Sequence, residues 1–236
     1  MLSQHKFELK ANRHSDKLSY NSLYMGEQYD STINTELVNS LEAHVATWRN
    51  ELYGLLPSVP ENLEIDWDNR WLISNTGTGG ATLTTHKIAL AFDPKFEGDK
   101  AQQLADLKGS YYHEAFHTVQ GWTFEDTREK EISAIEQAIF EGAATVFERE
   151  RAGTKPLWGV ADDKDAIRKW LEEIRQLPLD YDFRKYKFYD PETGRRWILY
   201  RVGTYIVDQA LRNNPKLRIE DIATKEPEEI LRLSML

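Results

Sequence analysis

Residues 110–122 read SYYHEAFHTVQGW, in which His113, Glu114 and His117 form the pattern H-E-x-x-H. On a helix, positions i and i+4 lie on one face about one turn apart, so the two imidazoles would point the same way and could grip one metal ion. Glu114 would sit roughly 100° round the helix from His113, within reach of a metal-bound water but poorly placed as a ligand. The spacing suits one chemistry: two neutral imidazoles hold zinc, and the adjacent carboxylate takes a proton from its water. With six His and 23 Glu in the chain, chance supplies only about 0.015 such patterns. The competing reading is a pair of hydrogen-bonded core histidines.

A third ligand must come from elsewhere. The histidines are His5, His14, His44, His86, His113 and His117, so none lies downstream of the motif, and cysteine is absent. Gln120 and Thr123 occupy the places where H-E-x-x-H-x-x-G-x-x-H would require Gly and His. The remaining ligand is therefore a carboxylate or one of the four upstream histidines. The next helix offers Glu131, Glu136, Glu141, Glu148 and Glu150. Glu141 stands out because it lies mid-helix in AIFEGAATVF, where an uncompensated charge costs several kcal/mol and a cation would offset it. Gly142, Ala143 and Ala144 would let this helix close on the histidine helix. Glu148 and Glu150, in the charged run FERERAG, read as a solvated helix end. Glu114-x-x-His117 is also half of a di-iron site, but the chain has no second Glu-x-x-His.

The elements that must position these groups are legible from periodicity. Residues 33–56 space Leu37, Leu41, Val45, Trp48 and Leu52 at helical intervals and stop at Pro57. Residues 63–74 read as extended structure, 75–83 (NTGTGGATL) as a flexible turn or loop, and 87–94 as a short apolar strand. Helices are expected over 99–121, 130–151, about 162–177 and about 196–213, with a last short one in EPEEILRLSML. Leu104, Leu107, Tyr112, Phe116 and Val119 would pack around the motif. The segment 170–197, rich in aromatics and charges, reads as packed surface rather than the border of a cleft. The whole is an α+β chain, a single unit of 1–236, with a sheet-containing lobe over about 1–98 and a mainly helical lobe over about 99–236.

Composition narrows the partners. A net charge of −9 and a pI near 5.3 argue against generic binding to nucleic acid or an anionic membrane. No run of 18 apolar residues or apolar leader is present, so the expectation is a soluble, cytoplasmic protein. Oligomeric state leaves no trace in the sequence.

His113-Glu114-Ala115-Phe116-His117, followed 24 positions later by Glu141-Gly142-Ala143-Ala144, resembles the gluzincin layout, in which a downstream Glu is the third zinc ligand. More narrowly, the chain resembles a bacterial family of small, predicted zinc-dependent proteases, a domain-of-unknown-function group. GGATLTTHKIALAFDP (79–94) is similar to that family's glycine-rich turn and strand. YRVGTYIV (200–207) is similar to its late Tyr-x-x-Gly-Tyr-like helix, with Thr204 after the glycine and Tyr205 one place later. The resemblance implies a zincin-like fold with Zn2+ between two lobes, held by His113, His117 and Glu141. It also implies that the strand over 87–92 is an edge that binds an extended peptide through its backbone.

On this reading Glu114 is the general base, and the oxyanion needs a further donor. Tyr200, Arg201 and Tyr205 are the candidates, with upstream His86 as an outside one. Tyr200 and Tyr205, five apart, face different sides of one helix, so only one would reach the metal. The expected activity is a peptidase acting on peptides or an unfolded protein segment. A zinc hydrolase of a non-peptide amide, and an inactive module stabilised by zinc, are the alternatives. The lack of cysteine weighs against the module, because structural zinc sites favour thiolates.

Overall fold

The computed structural model of the protein describes residues 35–127, 131–160 and 163–236. Helix α1 (Thr35–Leu55) buries Leu41, Val45, Trp48 and Leu52 along one stripe, as their spacing predicts. Strand β1 (Glu64–Trp67) follows. Extended structure stops there, since Asp68 caps a short helical turn at Asn69–Trp71 by accepting from the Arg70 N–H.

Strands β2 (Thr78–Thr84) and β3 (Lys87–Phe92) complete a mixed sheet of order β1-β3-β2. Two expectations are corrected here. Residues 78–83 are strand rather than loop. Gly79 and Gly80 act there as spacers, because a Cβ on Gly79 would run into the Trp71 carbonyl and one on Gly80 would lie 2.7 Å from Glu114 Cγ. The 87–92 strand is central, parallel to β1 on one side and antiparallel to β2 on the other, so it offers no free edge. Its sequence, KIALAF, is buried at every position after Lys87, as in a strand covered on both faces.

Helix α2 (Lys100–Gln120) carries the motif. Asp99 caps its start by accepting from the N–H groups of Ala101 and Gln102. Gly121, at φ 66°, ends it in the left-handed conformation and donates its N–H to the His117 carbonyl. The fully buried Gln103 side chain donates to the carbonyls of Gly77 (2.9 Å) and Asp93 (2.7 Å), pinning α2 to both ends of the hairpin's mouth. Leu107, Tyr112 and Phe116 are buried, while Leu104 and Val119 pack at the margin of the core.

Helix α3 (Ala134–Phe147) starts with a capping box between Ser133 and Glu136 and runs into a π-type turn at Glu148–Ala152. Phe147 meets Phe116 of α2 at 4.8 Å between ring centroids, an aromatic pair worth about 0.5–1.5 kcal/mol beyond its buried area. Helices α4 (Lys164–Arg175), α5 (Ile198–Asn213) and α6 (Pro227–Ser234) complete the helical part. Single helical turns lie at Phe124–Thr127, Phe183–Lys187 and Ile219–Ile222.

Gly142 does not face the histidine helix. Its Cα lies against Gly203 of α5, and a Cβ on Gly203 would strike the Ala138 carbonyl, so α3 and α5 cross backbone to backbone. Gly142 thus serves α5, whose own glycine is the complementary half. One continuous set of buried residues, including Trp48, Leu90, Phe116, Ile167, Ile206 and Ile230, joins α1, β3, α2, α4, α5 and α6. The architecture is α+β. Among the described residues no helix is long and apolar enough to cross a membrane.

Candidate metal centre

His113 and His117 lie on one face of α2, and Glu141 reaches them from the middle of α3, all three buried. The two Nε2 atoms are 3.2 Å apart. Glu141 Oε2 lies 3.5 Å from each of them. A tetrahedral zinc with bonds of about 2.0–2.2 Å spaces its ligand atoms roughly 3.3–3.6 Å apart. The triangle of three donor atoms therefore already has the dimensions of one face of that tetrahedron, so the residues present fit the ion.

The far nitrogens of both rings are engaged. His117 Nδ1 lies 2.7 Å from Gln120 Oε1, and His113 Nδ1 lies 3.1 Å from Glu148 Oε2. Both Nδ1–H groups thus donate outward, which leaves two Nε2 lone pairs and a carboxylate oxygen converging on one point. Three acceptors aimed at one another need a cation between them. Without a metal a proton takes that place. Burial alone would lower the His113 pKa, but hydrogen bonds to Glu141 and Glu148 and the charge of Glu114 carry it up to about 10. Burial works the other way on Glu141, yet the Lys187 charge and the two imidazoles hold its carboxyl well below the usual range.

Glu148 was legible only as a solvated helix end; instead it is 2% exposed. It stands seven residues, about two turns, beyond Glu141, so α3 and the turn that continues it present both carboxylates on one side. Its other oxygen accepts from Thr154 Oγ1 at 3.2 Å, just past the left-handed Gly153 that closes the π-type turn. Burial pushes the Glu148 carboxyl up, partly offset by His113.

Glu114 is buried on the neighbouring side of α2. Thr82 Oγ1 lies 2.8 Å from its Oε2 and 2.9 Å from its own carbonyl oxygen, and Gly80 leaves the room that its side chain fills. The candidate base is therefore held by β2, the strand that the glycine-rich sequence disguised as a loop.

The segment 170–197 does border the site. Lys187 donates to Glu141 Oε1 at 2.6 Å. Trp122, delivered by the turn at Gly121, donates its indole N–H to the same oxygen at 3.1 Å. Neither contact had a local signal in the sequence, since Lys187 lies 46 residues beyond its partner.

The three residues expected to supply an oxyanion donor are placed apart. Tyr200 is beside the site, with its ring centroid 6.2 Å from that of His113 and 6.3 Å from that of Trp158. Arg201 turns its guanidinium over the Trp197 ring, 5.8 Å from the centroid. Tyr205 is buried and adjoins Arg168 of α4. His86 is exposed in the β2–β3 turn, where its ring pairs with Thr85 at 2.9 Å.

No curated protein and no solved structure matches this chain. With a buried His-Glu-x-x-His pair, a convergent glutamate and acceptor geometry sized for one ion, the chain matches a family model over residues 33–232 and belongs to that family, the predicted Zn-dependent proteases (DUF2268).

Proposed function

We propose that the protein is a zinc-dependent peptidase of gluzincin type, with His113, His117 and Glu141 as metal ligands and Glu114 as general base. The observation that carries this reading is the triangle of Nε2, Nε2 and Oε2 atoms at 3.2, 3.5 and 3.5 Å, with every other polar atom of the two rings turned outward. When bound, zinc would lower the pKa of a water to about 7 and polarise the scissile carbonyl.

The chain's own residues do the rest. Glu114, one helical position from His113 and fixed by Thr82, accepts the proton of the attacking water and passes it to the leaving amine. Tyr200, beside His113, is the best placed of the three tyrosine and arginine candidates to donate to the oxyanion. His113 is aimed by donating its Nδ1–H to Glu148.

An extended peptide would lie along β2 rather than β3. Ile73 bridges only the first residue of β2, Thr78, and the rest of that strand pairs with β3 alone among the described residues. The same strand holds Glu114, so a peptide added to it would run past the base. The zincin-like fold, with the metal between a sheet-bearing and a helical lobe, belongs to this reading, as does a peptide or unfolded protein segment as substrate.

Elemental analysis of purified protein, paired with digestion of a peptide library, tests the proposal. Glu114→Gln should retain one zinc per chain and lose hydrolysis, whereas Glu141→Ala should lose the zinc. Full activity in the first variant, or undiminished zinc in the second, would reject the assignment.

A further inference from the structure

The two oxygens of Glu141 have different surroundings. Oε2 faces the imidazoles at 3.5 Å from each Nε2. Oε1 faces away and accepts from Lys187 Nζ at 2.6 Å and Trp122 Nε1 at 3.1 Å. A carboxylate beside a cation can bind through one oxygen or through both. Here one oxygen is already engaged by an ammonium and an indole N–H, and charge-assisted hydrogen bonds of this kind are about twice as strong as neutral ones.

Lys187 is not a surface lysine that happens to reach inward. Its side chain is only 18% exposed. Its Nζ lies 5.8 Å from the Tyr200 ring centroid and 5.7 Å from that of Phe188. The segment that carries it is tied down on both sides. Before it, Tyr186 donates to Glu173 at 3.1 Å. Beyond it, Arg195 grips both oxygens of Glu173 at 2.6 and 3.0 Å, and the Trp197 N–H closes back on the Phe188 carbonyl at 2.9 Å. Lys187 is thus delivered to Glu141 by a segment clamped to α4, with little freedom left to lose on binding.

We propose that Lys187 is a positioning residue that makes Glu141 a one-oxygen ligand of the metal. The inference rests on the metal reading above and adds a coordination number to it: two imidazoles, one carboxylate oxygen, and space for one solvent molecule. Lys187 also compensates the buried Glu141 charge before any ion arrives, so the ligand is set in advance rather than recruited. Trp122 is the weaker partner in the same task. Its ring stacks on Phe140 at 4.6 Å, which fixes the direction of its N–H.

The test uses the full chain stripped of metal and titrated with Co2+, with a competing chelator to measure affinity. Visible absorption reports coordination number, because four-coordinate cobalt absorbs more strongly than five-coordinate cobalt. Lys187→Met should bind Co2+ about 10–100-fold more weakly and lose band intensity as the second carboxylate oxygen joins the ion. Lys187→Arg, which keeps the cationic donor, should restore most of both. Trp122→Phe, which keeps the stacking, should shift both readouts the same way by less. Undiminished affinity or an unchanged spectrum in Lys187→Met would overturn the proposal. Should that variant fail to fold by circular dichroism, Trp122→Phe decides alone on the same two readouts. A wild-type protein that takes up no Co2+ would reject the metal site itself, which is a separate failure.

Discussion

Thr82 Oγ1 lies 2.8 Å from Glu114 Oε2, so β2, one of the two outer strands of the sheet, holds the carboxylate that follows the first motif histidine. Helix α2 sets the Glu114 backbone; the hydroxyl on β2, which also lies 2.9 Å from the Glu114 carbonyl oxygen, fixes the orientation of its carboxyl. Thr82→Val keeps the shape and removes the donor. Turnover should fall about 10–100-fold with zinc content unchanged, the cost of a misdirected reacting group. Thr82→Ser should recover most of it. Steady-state kinetics with parallel metal analysis checks this, and a fully active valine variant contradicts it.

On the metal reading, Glu148 would act through His113, whose Nδ1 lies 3.1 Å from its carboxylate. Glu148→Ala should weaken zinc binding by about 10–100-fold, because the imidazole loses the acceptor that orients it. Glu148→Gln keeps an oxygen in place and should lose less. Competition with a chromophoric chelator measures both, and equal affinities across wild type and the two variants would remove Glu148 from the site.

Gly203 permits the backbone contact between α3 and α5. A Cβ there meets the Ala138 carbonyl, which belongs to the helix backbone and cannot rotate away. Gly203→Ala should therefore destabilise the fold at the upper end of the roughly 1–3 kcal/mol typical of overpacking, or beyond it. Urea unfolding of the metal-free protein reads this directly as a lowered midpoint.

Glu173 links stability to pH. The Arg195 guanidinium beside it, with help from Tyr186 and against partial burial, holds its carboxyl below the ordinary value of 4.5. A carboxyl lowered in the folded state contributes stability above that value and loses it as pH falls through the lower folded one. The stability difference between wild type and Glu173→Gln should be constant above about pH 5 and shrink below about pH 4.5. Unfolding midpoints across that range test it, and a difference independent of pH would rule out the link.

What the sequence revealed, and what it concealed, divides along physical lines. The stripe of α1, the motif on α2 and the buried Glu141 each carry a local signature: a period, a spacing, or a charge among apolar neighbours. Glu148 has its signature overwritten, because FERERAG looks solvated while the π-type turn carries its first residue inward. Its separation of seven from Glu141 was the available clue. Gly79 and Gly80 read as a turn because glycine signals turns and close approaches alike, and only the neighbouring Trp71 carbonyl and Glu114 side chain distinguish the two. Lys187 and Trp122 have no local signal at all, since their roles exist only once α2, α3 and the segment before α5 have come together.

Glu141 on α3 and Glu148 at the start of the turn that continues it face one side, and the glycine crossing with α5 fixes how that helix is turned. A small rotation of α3 about its long axis would withdraw Glu141 and the support of His113 in the same movement. Loss of function by mutation at the distant crossing should accordingly be abrupt, with both carboxylates disengaging together and no half-assembled centre between.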